Sequence, residues 1–231
     1  MRFTFNPAVL ILSILFLIPE GYSAPCYGTR MPDKDQAVMG FQSYSLLNRH
    51  LEAEWGEVRS FQNFYLLTYG LKDWLSLDLK AGFGNIKQRP RTSAEIDYPT
   101  AFAGGYGFRI KLYEDKDKGC KSVCGFQHIS VHPHHREANG VKNRAILDDW
   151  QASLLFSQKF GPVTPYLGTK FSRVDYIHWI GDNRKRRMSD LTQSWGAVLG
   201  LDIPLNEKTF INLEGHAFDE EAFSAAILYE F

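Results

Sequence analysis

Three groups of side chains have the types and spacing needed for chemistry. In the run FQHISVHPHH, His128, Ser130 and His132 alternate, so an extended backbone puts all three on one face. A hydroxyl beside an imidazole can act as nucleophile and base, provided a carboxylate such as Glu137, Asp148 or Asp149 orients the ring. His132, His134 and His135 also offer imidazoles for a transition metal, but no fixed ligand spacing or cysteine partner accompanies them. They read instead as a solvated, His-rich loop, and neither a metal nor any other cofactor is expected. Cys120 and Cys124 flank a short link, and an oxidising compartment would join them in a disulfide, leaving Cys26 over.

The charged residues form a second pattern. Asp78, Lys80, Arg109, Lys111, Lys159, Lys170, Asp202, Glu214 and Glu230 each occupy the polar face of an alternating segment. If those faces point inward, both signs meet in a narrow interior and must pair there, because an unpaired buried charge is costly. Two basic links stand apart, Lys87/Arg89/Arg91 and the run Arg184, Lys185, Arg186, Arg187. The 26 basic and 26 acidic residues cancel, which gives no reason to expect nucleic acid.

The elements that must position these residues are strands. In 74–84, Leu75, Leu77, Leu79, Ala81 and Phe83 alternate with polar or small residues. The same two-residue period runs through 102–112, 150–160, 191–203, 210–218 and 221–231. Fainter segments at 38–47, 61–69, 126–132 and 164–179 bring the total to about ten. In the last of these the apolar phase changes near 172–174, which predicts a bulge or a strand continuing above a bilayer. Short links alternate with long polar ones, although 114–123 is long for a turn and Asp219-Glu220 is short for a loop. Within 126–132 the apolar residues Ile129 and Val131 read as the outward pair, which turns Ser130 inward.

Residues 1–24 read as a cleaved signal peptide: a basic start at Arg2, an apolar run over 9–18, then small residues before Pro25. The run is too short to span a bilayer as a helix. Pro25 stands where a lipoprotein signal wants a small residue, so lipidation of Cys26 is set aside. Residues 25–34 form a periplasmic lead-in, and 35–231 form one domain.

The chain ends on Phe231 with Tyr229 two residues before it, and this resembles the C-terminal strand of bacterial outer-membrane β-barrels. The run YGLKDWLSLDL resembles a strand–turn–strand segment common in that class. The resemblance implies an all-β, antiparallel, up-and-down transmembrane barrel of about ten strands (8–12) in the bacterial outer membrane. It further implies that Tyr229 and Phe231 are read by the barrel-assembly machinery, and that the basic loops face lipopolysaccharide and other outer-membrane lipids. The H-x-S spelling of His128 and Ser130 resembles the outer-membrane lipid A 3-O-deacylases. Val131 stands where that family usually has Asn, and no acidic residue follows at the family's spacing. The functional expectation is therefore a non-enzymatic envelope protein with a filled lumen. A deacylase-like hydrolase using His128, Ser130 and Glu137, and a narrow solute channel, are the alternatives.

Overall fold

The structure is a computed structural model describing residues 26–138, 140–189 and 193–231. The expected signal peptide lies outside the described residues. Ten long strands carry the architecture: β1 (Ala37–His50), β2 (Glu57–Lys72), β3 (Leu75–Arg89), β4 (Ile96–Asp115), β5 (Cys120–His132), β7 (Val141–Gln158), β8 (Thr164–Ile180), β10 (Trp195–Pro204), β11 (Thr209–Ala217) and β12 (Glu221–Glu230). Two short strands, β6 (Arg136–Ala138) and β9 (Asn183–Met188), form hairpin extensions of β7 and β8.

Each long strand pairs antiparallel with its neighbours, β5 with β7, β7 with β8 and β8 with β10 included. The ring closes where β1 meets β12, with Val38 opposite Glu230 and Phe41 opposite Ile227. Closure removes the sheet edges that would otherwise expose unpaired backbone. The start of β1, the end of β12 and four short turns share one end, called the base here; the long connections and the short β11–β12 turn crown the other, the rim.

The period-2 pattern explains the facing. Leu77, Leu79, Phe83, Phe108, Leu199 and Ile227 are all exposed on the outer surface. Asp78, Lys80, Arg109, Asp202 and Glu214 lie on the opposite faces, inside, with 5 % exposure or less. Aromatics cluster on the outside near both ends, with Tyr69, Trp74, Phe160 and Tyr229 at the base and Phe61, Phe102, Trp195 and Phe218 toward the rim. An apolar outer belt between aromatic girdles is the surface that a bilayer requires of a barrel.

Three expectations about connections change. The link expected over 114–123 is a short turn, because β4 runs to Asp115 and β5 begins at Cys120. The phase change in β8 is not a bulge: its pairing with β7 runs in unbroken register from Asn143–Ile180 to Ser157–Tyr166. Tyr166, Lys170, Ser172, Val174, Tyr176 and His178 all stay buried on one face while the lumen they face turns from polar to apolar. The basic run over 184–187, expected as an open loop, is the strand β9.

Candidate functional site

On β5 the facing is the reverse of the expectation. Ile129 and Val131 are 2 % and 0 % exposed and point inward, so His128, Ser130 and His132 lie on the outer surface. The reason is tertiary. At the rim end the lumen is a hydrophobic core of Leu46, Ile86, Ile129, Val131, Leu147, Val174 and Tyr176. There the greasy side of a strand faces in, and greasiness alone misleads.

The outward face brings a carboxylate to the hydroxyl. Ser130 is in register with Asp148 of β7, and its hydroxyl hydrogen-bonds the Asp148 Oδ1. The Ser130 Oγ also lies 2.7 Å from His132 Nε2. His128 Nε2 sits 3.7 Å from the same Asp148 Oδ1, and its ring stacks on Trp150 with centroids 3.8 Å apart. Tyr106 flanks His128 and Phe102 flanks His132. On the other side, the residue opposite Ser130 is Gly104, which places no side chain against the hydroxyl. Glu137, the carboxylate expected to serve this site, lies on β6 in the rim hairpin, and Asp148 takes its place. The eight residue steps from Ser122 to Ser130, at ~3.3 Å each and tilted near 40°, rise roughly 20 Å, which puts Ser130 at the rim-side edge of a 25 Å apolar belt.

Charges surround this site. Asp175 of β8 lies opposite Asp148, and two like charges side by side require cations. Arg186 of β9 hydrogen-bonds Asp175, and Arg173 Nε lies 3.4 Å from it. The rest of the basic run is held on aromatic faces: Arg184 over Trp179 at 5.5 Å and Arg187 over Trp55 at 5.3 Å, with Lys185 exposed beside them. His134 and His135 are exposed on the link between β5 and β6, while His132 turns to Ser130.

Inside, the charge network takes in some of the expected residues and several unexpected ones. Arg109 forms a two-pronged pair with Asp78, Nε to Oδ2 at 3.0 Å and Nη2 to Oδ1 at 2.8 Å. Its remaining nitrogen donates to the carbonyls of Tyr27 and Arg30, at 3.0 and 2.7 Å. The lead-in therefore does not hang below the barrel: Cys26, Tyr27 and Thr29 thread into the lumen from the base. Lys80 lies over the Tyr27 ring at 4.3 Å, and the Thr29 hydroxyl donates to Ser157 at 2.8 Å. Nearer the rim, Lys170 pairs with Asp219 at 2.9 Å and with Glu220, and Arg49 pairs with Asp219 at 3.2 Å. Asp219 and Glu220 belong to the short β11–β12 turn, where Phe218, at φ 82°, points out and both acids fold fully inward.

Three expected members of the network lie outside it. Lys111 pairs with Glu114 at the base. Glu230 pairs with Arg30 at the mouth. Lys159 is exposed in the β7–β8 turn. The expected Cys120–Cys124 disulfide is absent, and all three cysteines are free thiols. Both residues lie on β5, four apart, about 13 Å along a strand, whereas a disulfide spans Cα atoms no more than ~6.8 Å apart. A pocket of about 420 Å³ opens at the base, lined by Thr29, Arg30, Glu114, Ser157 and Asp202, but deeper in the lumen the side chains leave small spaces, of about 10 Å³ beside Tyr44 and Asp149 and about 20 Å³ beside Tyr27 and Arg109. Each of these small spaces is room for one water at most.

No family model matches the chain, and no curated protein does. Among solved structures, it is similar to an outer-membrane channel from Pseudomonas putida F1, with a TM-score of 0.46 and 7 % identity over 90 % of this chain and 100 % of that one. It is also similar to Ail, the attachment invasion locus protein of Yersinia pestis, with a TM-score of 0.41 and 9 % identity over 87 % and 100 %. The outer-membrane protease OmpT from Escherichia coli matches with a TM-score of 0.43 and 10 % identity over 88 % and 99 %. The fold itself is fixed by the chain's own strand pairing, a closed ring with an apolar belt outside and paired charge within. The barrel is of the outer-membrane type.

Proposed function

We propose that this chain is an outer-membrane hydrolase that cleaves acyl esters of lipids in the outer leaflet, with Ser130 as nucleophile. The observation that carries the reading is the convergence of Ser130, His132, His128 and Asp148 on the lipid-facing surface at the rim-side edge of the apolar belt. A lipid whose acyl chains lie along β4, β5 and β7 presents its ester carbonyls at that height. Ser130 passes its proton to His132 Nε2 as Oγ bonds to the carbonyl carbon. The tetrahedral species collapses with release of the alcohol, which takes the proton from His132. Water, deprotonated by the same ring, then attacks the acyl-serine, releasing the fatty acid and returning the proton to Ser130. His128, held on Trp150 beside Asp148, is the group placed to favour the developing oxyanion when protonated. The cationic rim residues Arg173 and Arg186 suit a phosphorylated glycolipid such as lipopolysaccharide.

The test is lipid A mass spectrometry from cells making the wild-type or Ser130→Ala protein, paired with fatty-acid release by the purified barrel. Loss of release on the order of 10³-fold or more is expected for Ser130→Ala. Identical acyl composition and release in both would remove the assignment. The second reading, a non-enzymatic envelope protein, draws on the filled lumen and on the direct Ser130–Asp148 contact, which competes with the base for the serine proton.

A further inference from the structure

We propose a second site, inside the lumen: a divalent zinc-class metal ion held by the Cys26 thiolate, the Glu214 carboxylate and the His216 imidazole. The ligand atoms of these three residues lie within 4.8 Å of one another. All three residues are buried, at 3 %, 1 % and 1 % exposure. Thiolate, imidazole and carboxylate are the three protein ligand types that zinc accepts, and three such ligands leave a fourth position for water or a small solute.

The surroundings are built for the carboxylate to stay put. The Tyr166 hydroxyl donates to Glu214 Oε2 at 2.7 Å, and the Gly28 amide approaches the same oxygen at 3.3 Å. Tyr166 is itself fixed by the Asn212 amide at 2.9 Å. Gly200 leaves the space that the Tyr166 ring fills, since a Cβ there would stand 2.1 Å from its Cζ. This outer shell leaves Oε1 turned toward His216 Nε2, 2.6 Å away, and toward the Cys26 amide. A tetrahedral ion with bonds of ~2.1 Å holds its nitrogen and oxygen ligands roughly 3.4 Å apart. The imidazole thus moves by less than about 1 Å to admit it.

Charge favours a cation here. The lumen side chains include four cations, Arg49, Lys80, Arg109 and Lys170, against six carboxylates, Asp78, Asp149, Asp202, Glu214, Asp219 and Glu220. The two halves of the site also come from distant parts of the chain. Glu214 and His216 sit two apart on the inner face of β11, whereas Cys26 arrives on the lead-in that Arg109 grips at the Tyr27 carbonyl. The ion would pin the lead-in inside the barrel, and binding would release the thiol proton.

The test uses the full barrel, extracted in mild detergent, in a Cys120→Ser/Cys124→Ser background so that Cys26 is its one cysteine. Titration with Co²⁺ should give one equivalent bound and a near-ultraviolet thiolate-to-cobalt charge-transfer band, lost on adding one equivalent of Zn²⁺. Cys26→Ser should abolish the band, and Tyr166→Phe should weaken binding ~10–100-fold through the lost support of Glu214. Heat-modifiable migration in cold gels reports that each variant is folded. If Cys26→Ser fails to fold, Glu214→Ala and His216→Ala decide in its place: a band of unchanged intensity and affinity in both overturns the site. Cobalt bound without the charge-transfer band, or no binding at micromolar metal, overturns it as well.

Discussion

Replacing Arg109 by Leu tests whether paired charge, and not mere filling, holds the lead-in within the barrel. The guanidinium makes two bonds to Asp78 and one each to the carbonyls of Tyr27 and Arg30. Leucine removes these four and a longer fifth, to the Thr68 hydroxyl at 3.4 Å, and leaves Asp78, 1 % exposed, with that hydroxyl at 2.7 Å as its remaining hydrogen-bond donor. Removing one partner of a buried ion pair costs ~3–5 kcal/mol because the other charge is stranded. At 1.4 kcal/mol per decade, that is a fall of roughly two to three and a half decades in the folding equilibrium constant. Replacing both partners removes the stranded charge, so Asp78→Leu/Arg109→Leu should recover most of the loss. The measurement is urea unfolding of the barrel in phospholipid vesicles, followed by tryptophan fluorescence, for both single variants and the double. If the double variant is destabilised by the sum of the singles, the pair is not coupled and the explanation is wrong.

Other outcomes follow from the same structure. Ile227→Lys, on the outer belt, should destabilise the barrel in vesicles by ~2–4 kcal/mol, and an unchanged urea midpoint would argue that this face does not meet lipid. In the folded protein a maleimide should label Cys120 and Cys124, which are partly exposed, and spare buried Cys26; non-reducing gels should show no disulfide-dependent shift. Rapid labelling of Cys26 would mean the lead-in is not docked in the lumen. Asp148→Asn should lower fatty-acid release together with Ser130→Ala, whereas Glu137→Gln should leave it unchanged; a reversal would move the carboxylate role back to β6.

The local pattern was enough for much of this. Alternation in 74–84, 102–112 and 221–231 sets which residues face lipid, because a strand turns its side chains to opposite sides one by one and an apolar exterior selects the phase. The same logic finds Asp78, Lys80, Arg109, Lys170, Asp202 and Glu214 as interior charge. It misplaces Lys159, Lys111 and Glu230 because a strand's polar phase continues past the end of the closed ring into turn and mouth.

What the tertiary structure alone decides is where the barrel's interior stops being polar and which strands stand side by side. Ile129 and Val131 face in because residues of β1, β3, β5, β7 and β8 together build an oily plug at the rim, a fact no seven-residue segment contains. Ser130 meets Asp148 because the β5–β7 register aligns residues eighteen apart in sequence, with β6 and its hairpin looping out between them. Cys26 reaches Glu214 across 188 positions because the lead-in enters the closed ring. Periodicity is a property of neighbours along the chain, and these contacts exist only once the ring has closed.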